Sequence, residues 1–280
     1  MPPLSDRVGD LAIVLHSHMP YVEGFGTYPF GEEWLFDAVL RSYLPVTEVA
    51  DRVTMTVTPV LADQLEAPGV AERLGEFGRS FRLEACEAEA REVETPYADA
   101  CLAEAGRYRR AIARLDELGD DLLGIFRRPF QEGRVELVAS AATHAVLPLV
   151  ATVPGRRLQL DAGLRSHGRR FGRTAGLWLP ECAYEPGLES LLGERDLGFF
   201  CVDQSAHEEP LAALAPVAER LQALGRCGDE RRAPAACRGL CRRRVIGVAA
   251  DRPRARTAHR LAVKVGVDGV RRVAVQRPEP

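Results

Sequence analysis

Five short apolar or β-branched runs, each followed by a polar loop or a helical segment, constrain what this chain can fold into. Runs of this kind are typical of strands, and continuous apolar runs are typical of strands covered on both faces. Because the runs alternate with helical segments, they indicate parallel βα units, as in an α/β barrel. The predicted strands are 11–15, 53–58, 135–140, 175–179 and 198–203.

A long helical stretch interrupts this alternation. Residues 61–132 contain no strand signal, are rich in Ala, Glu, Leu and Arg, and carry apolar residues at helical spacing. We predict three or four helices here, which is more than one crossover between two strands requires. The stretch is therefore interpreted as a helical insertion in the barrel.

Composition narrows the class of protein. The apolar content of 46% is typical of a folded globular protein. No run approaches the length of a membrane span, and the first residues lack the apolar core of a signal peptide, so a cytoplasmic location without membrane contact is expected. Seven cysteines without regular spacing argue against a disulfide framework.

The chain changes character near residue 220. Residues 1–220 carry 22 Arg, no Lys and 35 acidic residues, whereas residues 221–280 carry 15 basic and 5 acidic residues, and no aromatic residue follows Phe200. A basic segment can bind nucleic acid. The Arg, Ala, Pro, Gly and Cys content of this segment is, however, also what GC-rich codons encode in a shifted frame. We therefore predict a catalytic barrel over 1–220, a basic, low-order, frame-shifted tail over 221–280, and no nucleic-acid partner.

Polar residues with catalytic potential follow the predicted strands. His16 and His18 follow the first strand, His144 the third and Glu181 the fourth, and Asp203 ends the fifth. The carboxyl ends of parallel barrel strands meet at one face, where active sites are built. The pattern predicts one site at this face, with Asp203 interpreted instead as a cap of the turn or helix that follows.

The residue types at this face suit a sugar site, although other interpretations stay open. Trp178 and Tyr184 flank Glu181, and aromatic faces beside a carboxylate suit carbohydrate. Each residue alone could equally be structural, as a surface glutamate, a capped loop histidine or a core aromatic. Strand-end histidines could also hold zinc in a polysaccharide deacetylase barrel. No acid stands at ligand spacing from His16 and His18, so no metal is expected.

Four motifs of this sequence resemble those of glycoside hydrolase family 57, and within it the 1,4-α-glucan branching enzymes. They occur in the family's order, and the resemblance covers about residues 8–215. The resemblance implies an α/β fold, here an incomplete (β/α)7 barrel of parallel strands with a helical insertion. The motifs are His16-Ser-His-Met-Pro-Tyr21, Pro29-Phe-Gly-Glu-Glu-Trp34, Ala141-Ala-Thr-His144 and Trp178-Leu-Pro-Glu-Cys-Ala-Tyr184.

The resemblance also implies a chemistry and a set of site residues. It implies a retaining transferase that acts on α-1,4-glucan without a cofactor. Two interpretations stay open beside it, a metal-dependent deacetylase-like barrel and a non-catalytic glucan-binding remnant. The family's acid/base aspartate has no match, because Asp229, Asp251 and Asp268 lack its surroundings. By motif position, Glu181 is the implied nucleophile, His16, Trp34 and His144 are implied to hold the glucan, and His18 and Trp178 are implied to shape the same pocket.

Overall fold

The computed structural model describes residues 12–26, 31–93, 96–203, 260–266 and 269–276. These residues fall into two compact units. The barrel unit consists of the described parts of Met1–His16, Val53–Thr56 and Leu137–Pro280. The helical unit consists of the described parts of Ser17–Arg52 and Val57–Glu136.

Five parallel strands, adjacent in chain order, form the curved sheet of the barrel unit. Their positions agree with the five predicted runs to within two residues at each end. The predicted incomplete parallel barrel is therefore confirmed. The strands are β1 (Ala12–Ser17), β2 (Val53–Val57), β3 (Val135–Ser140), β4 (Gly176–Trp178) and β5 (Phe199–Asp203).

A hairpin closes the ring of strands. It consists of β6 (Arg260–Gly266) and β7 (Gly269–Gln276). Strand β6 pairs in parallel with β1, and β7 pairs antiparallel with both β5 and β6, so that the closed order is β1-β2-β3-β4-β5-β7-β6. Apart from this hairpin, the segment predicted to be a low-order tail lies outside the described residues, and its frame-shifted origin stays a prediction.

Helices make up most of the helical unit, which confirms the predicted insertion. Between β2 and β3 the structure describes four continuous helical segments, over 59–65, 70–92, 97–118 and 124–131, which is the upper predicted number. Gly69 adopts a left-handed φ of 70° and starts the second of these segments. The helices of this unit are α1 (Glu33–Ala38), α2 (Leu44–Val49), α3 (Pro59–Leu65), α4 (Val70–Glu76), α5 (Glu84–Glu92), α6 (Tyr97–Leu118) and α7 (Gly124–Gln131), with π-helical turns at Val39–Tyr43 and Phe77–Leu83.

Two further helices belong to the barrel unit, α8 (Val153–Phe171) and α9 (Leu188–Gly193). Helix α8 begins where the Thr152 side chain accepts a hydrogen bond from the Gly155 N–H, the usual role of an N-cap threonine. Gly163 lies against the end of β3, where a Cβ would come within 2.1 Å of the Ser140 carbonyl oxygen. A glycine is therefore required for α8 to approach the strand this closely.

The strands of the barrel unit divide their side chains between two apolar clusters. Leu177 and Phe200 pack with residues of α8 and α9 in the outer cluster. Trp178 and Cys201, their neighbours in sequence, pack with Val14 and Val138 in a cluster formed mainly by residues of the strands. This alternation follows the two-residue period of a strand. In the part of the chain that the structure describes, no helix is long and apolar enough to cross a membrane.

Candidate active site

His16 and His144 meet through their rings at the ends of β1 and β3. The Nε2 atoms of the two imidazoles are 3.0 Å apart, and His16 Nδ1 is 2.6 Å from the Thr56 hydroxyl oxygen. The two ring planes differ by 24° and the ring centroids are 5.0 Å apart. The rings are therefore nearly coplanar and edge to edge, so that an N–H of one points at the nitrogen lone pair of the other.

Trp178 supports this pair from one side. Its ring is stacked on His16, with centroids 4.5 Å apart and planes that differ by 13°. Trp178 is fully buried, and its carbonyl oxygen accepts a hydrogen bond of 3.0 Å from the Ser140 hydroxyl. The sequence predicts Trp178 in the pocket of the sugar site. The structure places it beneath His16, where it fixes the plane of that ring, and sugar contact by Trp178 itself stays a prediction.

Glu181 lies in a tight turn directly after β4. The turn, Pro180–Cys182, is held by hydrogen bonds from Cys182 N–H to Leu179 O and from Ala183 N–H to Pro180 O. Glu181 is exposed and has φ 56° and ψ 16°, in the left-handed region. Non-glycine residues in this region cost roughly 1–2 kcal/mol each, and such strain often occurs at functional sites.

The same strain occurs at two further residues near these strand ends. Cys182 and His144 each have φ 56°. Three left-handed non-glycine residues thus follow β3 and β4, where the motif residues lie. A strained backbone persists only where the surrounding structure holds it in place, and such residues cluster at functional sites. The observed strain therefore supports a functional hypothesis for Glu181 and His144.

Tyr184, the second aromatic residue predicted beside Glu181, has a structural contact. Its hydroxyl donates a hydrogen bond of 2.9 Å to Glu189 Oε2, and its ring lies 5.8 Å from that of Phe200. Burial, together with the Glu189 carboxylate, raises the pKa of Tyr184 to about 12. The phenol therefore stays protonated near neutral pH and anchors the chain between β4 and α9.

The other two predicted site residues, His18 and Trp34, belong to the helical unit. His18 Nδ1 is 3.1 Å from the Thr58 hydroxyl, and the His18 carbonyl oxygen accepts a hydrogen bond of 3.1 Å from Tyr43. Burial raises the pKa of Tyr43, which keeps this hydrogen-bond donor protonated. Trp34 lies on α1 and is 45% exposed, so that it presents ring surface to solvent rather than to a core.

Of the four aspartates named in the sequence analysis, only Asp203 lies within the described residues. Asp203 is the last residue of β5, in register with Val273 of β7, and the turn or helix that it was predicted to cap lies outside the described residues. Asp229, Asp251 and Asp268 also lie outside them. Within the described ranges, no group of three or more His, Cys, Asp or Glu side chains is arranged to hold a metal ion.

Thr56 is the site residue that the sequence analysis missed. It is the residue before the last of β2, is fully buried, and contacts His16 across 40 positions of sequence. The only local signal was the alternation of Thr54, Thr56 and Thr58 in a β-branched run, which indicates a strand but no partner. The contact depends on the register between β1 and β2, and this register is a tertiary property.

A carboxylate directly after one barrel strand and a hydrogen-bonded imidazole pair at the ends of two others form the kind of site that α/β-barrel enzymes carry at this face. The sequence model of Glycosyl hydrolase family 57 matches residues 12–221, about three quarters of the chain. The chain belongs to glycosyl hydrolase family 57. The match ends at the position where the composition changes.

Similar proteins of this family include branching enzymes. The chain is 32% identical over 227 residues to a 1,4-alpha-glucan branching enzyme of Thermococcus kodakarensis, which covers 72% of this chain and 33% of the relative. The crystal structure of a branching enzyme from Pyrococcus horikoshii is 30% identical, with a TM-score of 0.65 over 69% of this chain and 42% of that chain. The chain thus spans between a third and a half of the length of these relatives.

A family member with another activity is similarly related. The crystal structure of the alpha-amylase AmyC from Thermotoga maritima is 25% identical, with a TM-score of 0.66 over 74% of this chain and 43% of that chain. Its fold confirms the barrel architecture. Its name shows that hydrolysis of glucan also occurs on this fold, so the choice between transfer and hydrolysis needs a functional test.

Proposed function

We propose that this chain forms the barrel part of a retaining 1,4-α-glucan branching enzyme, with Glu181 as the nucleophile and α-1,4-glucan as the substrate. The observation that carries the proposal is the convergence of three separate motifs. His16 contacts both His144 and Trp178, and the exposed carboxylate of Glu181 follows Trp178 by three residues. The names of the similar branching enzymes support the choice of reaction.

In the proposed reaction, Glu181 attacks the anomeric carbon of an α-1,4-linked glucose. The α-1,4 bond breaks, the leaving 4-oxygen takes a proton from a general acid, and a glycosyl–Glu181 ester forms. The 6-hydroxyl of an acceptor glucan then attacks the same carbon, loses its proton to the same group, and releases Glu181. Two inversions restore the α configuration and create an α-1,6 branch.

The imidazoles and Trp34 are proposed to hold the glucan. A neutral imidazole both donates and accepts hydrogen bonds, which suits sugar hydroxyls. The half-exposed ring of Trp34 can stack on the apolar face of a glucose ring. His18 is proposed to shape the same pocket. We expect Trp34→Ala to weaken the binding of maltooligosaccharide in a calorimetric titration, and an unchanged affinity would remove Trp34 from the site.

The proposed mechanism also requires a general acid/base, and no residue of this chain is assigned to that role. A retaining mechanism places two carboxyl groups about 5–5.5 Å apart, and none of the aspartates after residue 220 has the surroundings of the family motif. Positioned proton transfer is worth about 10²–10⁴-fold in rate. We therefore propose that the 280-residue chain branches amylose poorly, and that its basic tail results from a shifted frame.

The test compares two proteins on amylose. One is the 280-residue chain, and the other is encoded by a gene whose frame is restored after codon 220. Iodine staining and debranching of the product should show branches only with the second protein, and Glu181→Gln should abolish them. Robust branching by the 280-residue chain would contradict the proposal that this chain lacks the acid/base. Reducing ends without branches would indicate hydrolysis, and branching by Glu181→Gln would overturn the proposed nucleophile.

Chelation tests the metal-dependent alternative. If the proposal holds, incubation with a chelator leaves maltooligosaccharide binding and residual activity unchanged. Stoichiometric zinc, lost together with activity, would favour the deacetylase-like alternative. Binding of glucan by both proteins without any turnover would favour a non-catalytic glucan-binding remnant. The cytoplasmic location stays a prediction of the sequence.

A further inference from the structure

Thr56 carries a buried hydroxyl whose only hydrogen-bond partner, in the part of the chain that the structure describes, is the ring of His16. The residue is fully buried in β2, and its Oγ1 atom is 2.6 Å from His16 Nδ1. A threonine hydroxyl has one proton to donate and two lone pairs to accept with. A distance this short indicates a well-formed hydrogen bond between hydroxyl and imidazole.

The direction of this hydrogen bond follows from the cost of burying an unsatisfied hydroxyl proton. If His16 Nδ1 donated, the Thr56 proton would have no acceptor, and a buried polar group without a partner costs about 1–3 kcal/mol. If Thr56 donates, its proton is satisfied and Nδ1 is the acceptor. The second arrangement is favoured, and it leaves the single ring proton of neutral His16 on Nε2.

The tautomer of His16 then determines that of His144. His16 Nε2 lies 3.0 Å from His144 Nε2, and two nitrogens at this distance require one donor and one acceptor. Because His16 Nε2 carries its proton, it donates, and His144 Nε2 accepts. The proton of neutral His144 is therefore on Nδ1. The hydrogen bonds run in one direction, from Thr56 to His16 and from His16 to His144.

We propose that Thr56 is a positioning residue of the glucan site, whose hydroxyl holds His16 and His144 in these two tautomers, so that bound glucan always meets a His144 ring with its proton on Nδ1. This role rests on the proposed function. The stack on Trp178 fixes the plane of the His16 ring, and Thr56 fixes which edge of the ring faces His144. Without the hydroxyl, His16 could carry its proton on either nitrogen, and His144 would carry its proton on Nδ1 in only part of the molecules.

The first experiment reads the tautomers without a ligand. Protonated and unprotonated imidazole nitrogens differ strongly in ¹⁵N chemical shift, so long-range ¹H–¹⁵N correlation spectra of the histidine-labelled chain report them directly. His16→Gln and His144→Gln assign the signals. In the wild type we expect the proton of His16 on Nε2 and that of His144 on Nδ1. A proton on His16 Nδ1 would overturn the proposal.

Matched variants distinguish the effect of the Thr56 hydroxyl from the effect of the side chain's shape. Thr56→Val removes the hydroxyl at nearly constant volume and should give mixed tautomers, whereas Thr56→Ser should retain the wild-type pattern. Thr47→Val is the control, because it removes a buried threonine hydroxyl that is bonded to backbone carbonyls of the helical unit. A wild-type pattern in Thr56→Val would overturn the proposal. If that variant does not fold, the wild-type and Thr56→Ser spectra still decide the tautomers.

The second experiment measures maltooligosaccharide affinity by calorimetry. Loss of one well-placed hydrogen bond is worth about 1 kcal/mol, so Thr56→Val should weaken binding about fivefold to tenfold. Thr56→Ser and Thr47→Val should bind as the wild type does, and equal affinity in Thr56→Val would overturn the positioning role. A wild-type chain with the expected tautomers that binds no glucan would overturn the proposed function, while the hydrogen-bond direction would stand.

Discussion

The strand ends of the barrel unit and the surface of α6 in the helical unit use polar side chains in different ways. At the strand ends, Thr56 and Ser140 are fully buried, and their hydroxyls bond to His16 and to the carbonyl oxygen of Trp178. On α6, arginines form ion pairs at the surface, among them Arg114 with Glu117. A buried group left unsatisfied costs about 1–3 kcal/mol, whereas an exposed ion pair contributes about 0–1 kcal/mol.

This difference shows which contacts determine the conformation of a polar side chain. A buried hydrogen bond with one possible partner selects one ring orientation and one proton position. An exposed ion pair competes with water and leaves both side chains free to move. The predicted function therefore depends on few, buried contacts in the barrel unit. The helical unit depends on its apolar stripe, which on α6 includes the buried residues Ala105, Tyr108, Ile112 and Leu115.

Large core deletions provide the strongest test of this comparison. Trp178 and Leu74 are both fully buried, one in each unit. We expect Trp178→Ala to lower the free energy of unfolding by about 3–5 kcal/mol and Leu74→Ala by about 2–5 kcal/mol, because each leaves a cavity. Only Trp178→Ala removes the support of His16, so only this variant should lose maltooligosaccharide affinity in its folded fraction. Denaturant unfolding and calorimetry measure the two quantities, and equal loss of affinity would contradict the comparison.

A second test uses a buried histidine outside the candidate site. His167 on α8 is 4% exposed, lies against Phe171, and neither of its ring nitrogens has a hydrogen-bond partner among the described residues. Burial lowers the pKa of His167 from 6.5 to about 4. Between these values the unfolded chain binds a proton that the folded chain does not, so stability should fall as the pH falls through this window.

The expected loss from His167 is up to about 3 kcal/mol between pH 6.5 and pH 4. Other groups titrate in the same range, so the measurement is the difference between wild type and His167→Leu in urea unfolding at several pH values. Between pH 6.5 and pH 4, the free energy of unfolding of the variant should fall less than that of the wild type, by up to about 3 kcal/mol. Parallel pH profiles would show that His167 is protonated in the folded protein.

A smaller effect is expected from the strained turn after β4. Glu181 is exposed and has a left-handed φ of 56°, which glycine adopts without strain. We expect Glu181→Gly to be more stable than Glu181→Ala by about 1 kcal/mol. Both variants lack the carboxylate and should be inactive, so the difference between them in thermal unfolding reports the backbone strain at this position. A less stable glycine variant would show that the turn is not strained in solution.

The smallest effect is expected on α6. Arg114 and Glu117 are about half exposed, three positions apart on the same helix. Arg114→Ala should change the free energy of unfolding by less than about 0.5 kcal/mol, because exposed pairs of this kind gain little. Denaturant unfolding at low and high salt provides the measurement. A loss above about 1 kcal/mol would show that the ion pairs of the helical unit matter as much as the buried contacts of the barrel unit.

The sequence by itself determined the five parallel strands, the helical insertion and their order, but not the hairpin of β6 and β7. Strand β3 has the predicted bounds, Val135–Ser140, because a short and mostly apolar run follows the turn at Gly133. The helical insertion followed from the spacing of apolar residues on one helix face. Pro59 directly follows the second predicted strand, 53–58, and starts α3, with Thr58 as the N-cap residue. These properties depend on neighbours within a few positions of the chain.

The arrangement of the candidate site was decided only by the tertiary structure. The sequence placed His16, His144 and Glu181 at strand ends, but not the edge-to-edge contact of the two imidazoles. It also predicted that Trp178 shapes the sugar pocket, but not that the ring would be fully buried and stacked on His16. The contacts of Thr56 and Trp178 join strands that are far apart in sequence. Side-chain partners across a barrel depend on strand register and ring orientation, which are set by packing of the whole sheet rather than by local sequence.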